Sequence, residues 1–124
     1  LSYVDSTTKV NYETVSLPNV QFYTNSDILL PSSAGDLQKL AEYLTKNDSL
    51  NATIYGHTDN VGDAVANKTL SQNRAEAVKA YFVSKGISDT KLKSIGYGSE
   101  MPIADNATPK GKEANRRVDF ILTY

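Results

Sequence analysis

Alternating apolar and polar positions predict several strands along the chain. Segments 9–17 and 50–56 follow the two-residue period of a strand, and 19–23 is a second, shorter strand candidate. Segments 92–98 and 116–124 complete the set. Four alternating residues of the last strand are predicted to point inward: Val118, Phe120, Leu122 and Tyr124.

Two longer segments carry the apolar spacing of amphipathic helices. The first is predicted to begin at Pro31-Ser32-Ser33, with a serine cap, and to end near residues 47–48. The second is predicted to begin at Asn67 as its N-cap and to end at Gly86, where Ile87 makes the contact that follows a C-terminal glycine. The apolar positions of the first helix are Leu37, Leu40, Ala41 and Leu44.

The order of these elements predicts an α+β fold. The predicted order is strand, helix, strand, helix, strand, strand. This order corresponds to a βαβαββ-type sandwich, with two main helices packed on one face of a mixed β-sheet. Thr108 and Pro109 are typical of the start of a further short helix. Residues 1–16 are predicted to be an N-terminal tail or extra strand, with 1–8 polar and irregular, and 17–124 to be one domain.

Composition removes several classes of function. The chain has 124 residues, enough for one domain with a core, and its net charge of -1 gives no basic field for nucleic acid. There is no cysteine, and His57 is the only histidine, so we expect neither a metal site nor a cofactor. No apolar run is long enough to span a membrane, and the first residue is Leu, so any signal or anchor is expected outside this sequence.

One charged residue interrupts the apolar stripe of the second helix. On a helical projection Arg74 lies about 40° from Leu70, inside the stripe. A charge there is costly unless it is paired, and the nearest upstream acids are Asp59 and Asp63. One interpretation is a buried structural pair of Arg74 with an aspartate. The other is a site in which Arg74 takes the carboxylate, and Asp59 the ammonium, of a zwitterionic ligand.

Short polar side chains surround this pair of charges in the sequence. They lie near a predicted helix N-terminus, which attracts carboxylates through its free N–H groups and its dipole. A ligand with an amino-acid end would fit such a site. No arrangement of nucleophile and base accompanies it, so catalysis is not expected. The surrounding residues are Thr58, Asn60, Asn67 and Ser71.

Several sequence blocks, taken in order, closely resemble the OmpA-like peptidoglycan-binding domain. The resemblance extends from about residue 17 to the end of the chain. The matching blocks are GHTDN at 56–60, glycine at 62, NKTLSQNRAEAV at 67–78, GI at 86–87, GYG at 96–98, PIA at 102–104, NAT at 106–108 and NRRV at 115–118.

This resemblance implies non-covalent binding to the diaminopimelate residue of the peptidoglycan stem peptide. It implies that Asp59 and Arg74 hold the amino-acid end of that residue. The other ligand-binding residues that it implies are Thr58, Asn67, Leu70, Arg116 and Asn25. Arg117 should point to the opposite side of the strand and be structural. Tyr23 stands where many relatives carry aspartate, which is a departure from the family pattern.

The resemblance also implies a location and a role. The expected location is the periplasm, with a tether to the outer membrane through a segment absent from this chain. The expected role is to anchor an outer-membrane protein or lipoprotein to the cell wall. The alternative is a wall-anchoring module of a motor or secretion machine, and a homodimer is possible in either role. Neither enzymatic activity, nor nucleic-acid binding, nor membrane insertion by this domain is expected.

Overall fold

The computed structural model describes residues 2–4 and 11–124, with side chains from residue 13 onward. In this part of the chain five strands form one mixed sheet with the order β1-β2-β5-β3-β4. Strands β3 and β4 are parallel, and the other neighbours are antiparallel. The strands are β1 (Ser2–Val4), β2 (Asn11–Ser16), β3 (Asn51–His57), β4 (Leu92–Gly98) and β5 (Val118–Thr123).

Three α-helices accompany the sheet in the described residues: α1 (Ala34–Lys46), α2 (Ala64–Ser84) and α3 (Pro109–Asn115). Short 3₁₀ turns lie at Pro31–Ser33 and Asp89–Lys91. Within the same part of the chain, no helix combines the length and apolar character needed to cross a membrane.

The core lies between the sheet and the two long helices. All four apolar positions predicted for α1 are buried, and Ala75, Val78 and Phe82 are buried on α2. The strands contribute every second residue, as their period requires. The predicted α+β fold, with two main helices on one face of a mixed sheet, is therefore confirmed. The strand residues in this core are Ala52, Ile54, Leu92, Val118, Phe120 and Leu122.

The amino-terminal region differs from the sequence-based expectation. Residues 2–4 are not irregular but form the edge strand β1, in which Tyr3 is the register partner of Tyr12 on β2. Because β2 pairs with β5, residues 11–16 extend the same sheet as the rest of the domain. Val10, predicted to lie in the β2 strand, is outside the described residues. The division at residue 16 stays a prediction.

The predicted strand at 19–23 is wrong. This segment turns back on itself, with the Tyr23 N–H donating to the Ile28 carbonyl at 3.0 Å. Its one β-type pairing is an isolated bridge between Phe22 and Leu29. We call residues 20–30 the β2–α1 loop. The inward orientation predicted for Tyr124 is also wrong, because β5 ends at Thr123 and Tyr124 is 64% exposed.

Of the two predicted caps of the long helices, Ser33 does occupy the N-cap position of α1, and the cap predicted for α2 is wrong. Ser33 is fully buried and makes no cap hydrogen bond; its Oγ instead accepts from the Gln21 N–H at 2.8 Å, which fastens the β2–α1 loop to α1. Helix α2 begins at Ala64, and its N-cap is Asp63, four residues before the predicted Asn67, because the carboxylate of Asp63 accepts from the Ala66 N–H at 2.8 Å. Asn67 therefore lies inside the helix.

Two other helix boundaries are confirmed. Gly86 has a φ of 93°, in the left-handed region that favours glycine, and the Ile87 N–H donates to the Phe82 carbonyl at 3.2 Å. At α3 the hydroxyl of Thr108 accepts from the Gly111 N–H at 3.0 Å, and Pro109 occupies the first turn.

Candidate ligand-binding site

A cavity of about 480 Å³ opens beyond the end of β3. The β2–α1 loop, the first half of α2 and the junction between α3 and β5 form its walls. All seven predicted ligand-binding residues line this cavity: Asn25, Thr58, Asp59, Asn67, Leu70, Arg74 and Arg116.

The end of β3 is held rigidly between its two neighbours. The His57 N–H donates to the Arg117 carbonyl at 2.9 Å, and the Thr58 N–H to the Gly98 carbonyl at 2.8 Å. The register with β4 shifts between Gly56 and His57, so the chain leaves the sheet with an irregularity at this point. Thr58 is consequently buried, and Asp59 follows it at the wall of the cavity.

Arg74 projects from α2 toward the β2–α1 loop. Its Nε donates to the Ser26 carbonyl at 2.8 Å, and its Nη2 lies 3.4 Å from the Tyr23 carbonyl. The guanidinium carbon is 4.9 Å from the centre of the Phe22 ring, a cation–π contact. The side chain is buried to all but 7%. Arg74 thus holds the loop in place and needs no carboxylate to do so.

Of the two interpretations of Arg74, the direct structural pair with an aspartate is wrong. Within the described part of the chain no carboxylate lies within 4 Å of Arg74, and its Nη1 donates to no protein atom. Burial lowers the pKa of Arg74 and Arg116 adds to this, while Asp59 and Asp27 oppose it. An arginine retains its charge under such conditions. Arg74 therefore presents a cation with unused donors to the cavity.

Asp59 pairs with Arg116, at 2.7 Å between Oδ2 and Nη1. Its Oδ1 accepts from the Val61 N–H at 3.0 Å. Burial alone would raise the pKa of Asp59, but the Val61 N–H, Arg116 and Lys112 together hold it below its ordinary value of 3.8. The carboxylate is therefore ionised at neutral pH. It retains lone pairs that an ammonium group can share with Arg116.

The remaining predicted residues form the polar and apolar walls. Asn67 donates to the Val61 carbonyl at 2.9 Å and so fixes the loop that follows Asp59. Asn25 has a left-handed φ of 53°, which asparagine tolerates, and this turns the β2–α1 loop over the cavity. Tyr23, the departure from the family pattern, is 48% exposed and contributes its carbonyl to Arg74.

Other features expected of the site lie elsewhere. Ser71 lies on the buried face of α2, where its hydroxyl accepts from the Gly98 N–H at 2.8 Å, and neither Ser71 nor Asn60 lines the cavity. The N-terminus of α2 carries its own carboxylate cap, Asp63, where a ligand carboxylate was expected. Arg74, eleven residues after Asp63, is the better partner for an anion.

The sequence-based prediction missed Lys112, which lines the same cavity from α3. Its carbonyl accepts from the Arg116 N–H at 3.1 Å, so one helical turn separates the two residues. That spacing of four residues before a predicted site residue was the only signal of Lys112 in the sequence. No feature of the sequence indicated that the carbonyls of Ser26 and Tyr23 would accept from Arg74.

Arg117, predicted to point to the opposite side of the strand from Arg116, lines the same cavity, and its hydrogen bonds go to a second set of polar groups. Its Nε donates to Asp119 Oδ2 at 3.0 Å, and its Nη2 to the Met101 carbonyl at 2.9 Å. The Nε2 of buried His57 is 3.4 Å from the same oxygen of Asp119, and the imidazole stacks on Tyr97. Asp119 therefore joins the ends of β3 and β5 behind the cavity.

This arrangement predicts a contribution of Asp119 to acid stability. Burial would raise the pKa of Asp119, but His57 and Arg117 outweigh it and lower the pKa below 3.8. A carboxylate with a lowered folded-state pKa stabilises the fold above its unfolded pKa, and this stabilisation is lost as the pH falls through the folded value. Denaturant unfolding of Asp119→Asn should show about 1–3 kcal/mol less stability at pH 7 and a shallower loss below about pH 4.

The control for this prediction is Asp48→Asn, which removes a fully exposed carboxylate just after α1 that lies 3.5 Å from Lys91 Nζ; an ion pair as exposed as this adds little to stability. Its acid limb should match that of the wild type. An Asp119→Asn variant with the wild-type acid limb would contradict the assignment.

A sheet covered on one face by two helices, with a charged cavity at its end, is the architecture of a small binding domain. The model of the OmpA family matches residues 21–116 of this chain. Because that match covers well over half of the sequence, the chain belongs to the OmpA family, and the resemblance drawn from its motifs is confirmed.

Individual relatives agree with this assignment. The outer-membrane lipoprotein YfiB of Pseudomonas aeruginosa is 41% identical over 103 residues, or 83% of this chain and 61% of the relative. The peptidoglycan-binding protein ArfA of Mycobacterium bovis is 36% identical over 103 residues, or 83% of this chain and 32% of the relative. The crystal structure of a putative MotB-like protein from Desulfovibrio vulgaris has a TM-score of 0.80 at 29% identity, covering 98% of this chain and 76% of that protein. The chain spans less than two thirds of the curated relatives that it matches.

Proposed function

We propose that this domain binds peptidoglycan without a covalent bond, by holding the free amino-acid end of diaminopimelate in the stem peptide. The observation that carries the proposal is the pair of unlike charges in one cavity. Arg74 and Asp59 both line it, yet each is fixed by other protein groups and neither neutralises the other. The name of the relative ArfA, a peptidoglycan-binding protein, supports the choice of ligand.

Each half of the ligand has a matching group. The carboxylate of the amino-acid end can accept from Arg74 Nη1, and charge-assisted bonds of this kind are among the stronger ones in proteins. The ammonium can donate to Asp59, whose lowered pKa keeps it ionised. The walls of Thr58, Asn67 and Leu70 leave room for the hydrocarbon stem between the two charges.

The role in the cell follows from binding of this kind. The domain is a binding module and not an enzyme, since its relatives are a lipoprotein, a peptidoglycan-binding protein and a MotB-like protein. It acts in the periplasm, where it ties an outer-membrane protein or lipoprotein to the wall, as the outer-membrane relative YfiB suggests.

A second role is a wall-anchoring module of a motor or secretion machine, in which the domain forms a homodimer. The observation in its favour is the likeness to the MotB-like protein, which extends over 98% of this chain. Sedimentation of the isolated domain at increasing concentration separates the two roles, because dimerisation is expected for the machine and a monomer for the simple anchor.

Calorimetric titration with a stem peptide tests the ligand assignment. The peptide containing diaminopimelate should bind about 10- to 100-fold more tightly than its lysine analogue, which lacks the carboxylate to which Arg74 donates. Asp59→Ala should weaken binding of the diaminopimelate peptide and reduce retention on purified sacculi. Equal affinity for the two peptides would refute the proposal.

A further inference from the structure

The charges around the cavity do not balance. Among the described residues that line it, Asp59 is the only one with a carboxylate, and it pairs with Arg116. Arg117 is compensated by Asp119 at 3.0 Å. Arg74 and Lys112 also line the cavity, and in the described part of the chain neither has an ion-pair partner within 4 Å. Asp27 influences Arg74 only from a greater distance.

Lys112 is placed to act on a ligand that reaches Asp59. It projects from α3 one turn before Arg116, and its ammonium makes no hydrogen bond to the described residues. Its positive charge interacts with Asp59 and contributes to the lowered pKa of that carboxylate. A neutral zwitterion held between Arg74 and Asp59 would leave this positive charge without a partner.

We infer that the site accepts a ligand with one ammonium and two carboxylates, and that Lys112 recognises the second carboxylate. This inference rests on the proposed function and adds a preference for the charge state of the stem peptide. Two carboxylates of that peptide lie next to the amino-acid end. One is the second carboxyl of diaminopimelate, which is free when that residue ends the stem. The other is the α-carboxyl of the preceding γ-linked glutamate.

Three synthetic tripeptides, L-Ala-γ-D-Glu-diaminopimelate, test the inference and distinguish the two sources. The first has both carboxyls free, the second has the diaminopimelate main-chain carboxyl amidated, and the third has the glutamate α-carboxyl amidated. Amidation of the carboxylate that Lys112 recognises should weaken binding to the wild type about fivefold, the effect of one partly exposed ion pair. The difference should shrink at high salt, because screening weakens such pairs.

Lys112→Gln should bind all three tripeptides equally while remaining folded, since Lys112 makes no side-chain hydrogen bond to the described residues. The matched control is Lys110→Gln, which removes the same charge from the same helix at a residue that does not line the cavity. Lys110→Gln should retain the preference of the wild type among the three tripeptides, with the same fold-difference in affinity.

The outcomes separate the inference from the proposed function. If the wild type binds all three tripeptides equally but prefers them to the lysine analogue, the inference is overturned and the proposed function stands. If Lys112→Gln keeps the preference of the wild type, recognition by Lys112 is overturned. If none of the tripeptides binds more tightly than the lysine analogue, the proposed function fails, and the inference fails with it.

Discussion

Replacing Arg74 by leucine should weaken binding of the diaminopimelate peptide by about thirtyfold or more while the domain remains folded. The substitution removes the one guanidinium that, among the described residues lining the cavity, has no carboxylate partner, and it leaves the ligand carboxylate without its partner. Loss of one member of a buried charge pair costs about 2–5 kcal/mol, which is thirtyfold or more in Kd. Calorimetric titration of the purified variant measures this directly.

The fold should tolerate this change because leucine suits the apolar stripe of α2. The carbonyls of Ser26 and Tyr23 lose a donor, so the free energy of unfolding should fall by about 1–2 kcal/mol, without loss of cooperativity. Arg74→Lys keeps the charge but not the planar fork, and it should bind with intermediate affinity.

The control is Lys79→Ala, which removes a cation from the same helix far from the cavity. Lys79 pairs with Asp89 at 3.1 Å and does not line the cavity, so its removal should leave binding unchanged. Wild-type affinity in Arg74→Leu would show that the ligand lies elsewhere.

The parts of the fold that were predictable are those governed by local rules. The last strand alternates between apolar and polar residues, and Val118, Phe120 and Leu122 are buried as that pattern predicts. The end of α2 depends on one glycine in a left-handed conformation, which is also a local requirement. Both signals depend on a few consecutive residues and no distant contact.

The β2–α1 loop could not be predicted because distant residues hold it. Its apolar residues Val20 and Phe22 alternate as a strand would, but the backbone of Gln21 bonds to the Ser33 hydroxyl twelve residues away. Arg74, 48 residues beyond Ser26, completes the support from α2. Contacts of this separation leave no periodic trace in the sequence.

The candidate site was predictable in its members but not in its pairing. Arg74 was predicted as a site residue because its charge occupies an apolar position of the helix, and Arg74 does line the cavity. Its expected partner, Asp59, instead bonds to Arg116, which is 57 residues further along the chain. The short distance in sequence between Asp59 and Arg74 had suggested that these two residues pair. Arg74 instead donates to backbone carbonyl oxygens, and because every residue has a carbonyl, the sequence does not show which ones accept.

Two glycines set how closely α2 approaches the sheet, and thereby where Arg74 lies. A Cβ atom at Gly56 on β3 would overlap the Ser71 carbonyl of α2, and one at Gly96 on β4 would overlap the Gln72 backbone. Because α2 lies so close to the sheet, the side chains of Ser71 and Gln72 can form hydrogen bonds with β4. They accept from the N–H groups of Gly98 and Gly96, both at 2.8 Å.

Gly56→Ala should therefore lower the free energy of unfolding by about 3 kcal/mol, because neither the strand nor the helix backbone can move aside without losing these bonds. The matched control is Gly35→Ala in α1, where a Cβ atom would have no neighbour within 4 Å. Alanine there should stabilise the domain by about 0.5–1 kcal/mol, since glycine is the poorer helix former. Urea unfolding measures both changes. Equal stability of the two variants would show that α2 does not pack closely against β3 at Gly56. The position of Arg74 at the cavity would then need another explanation.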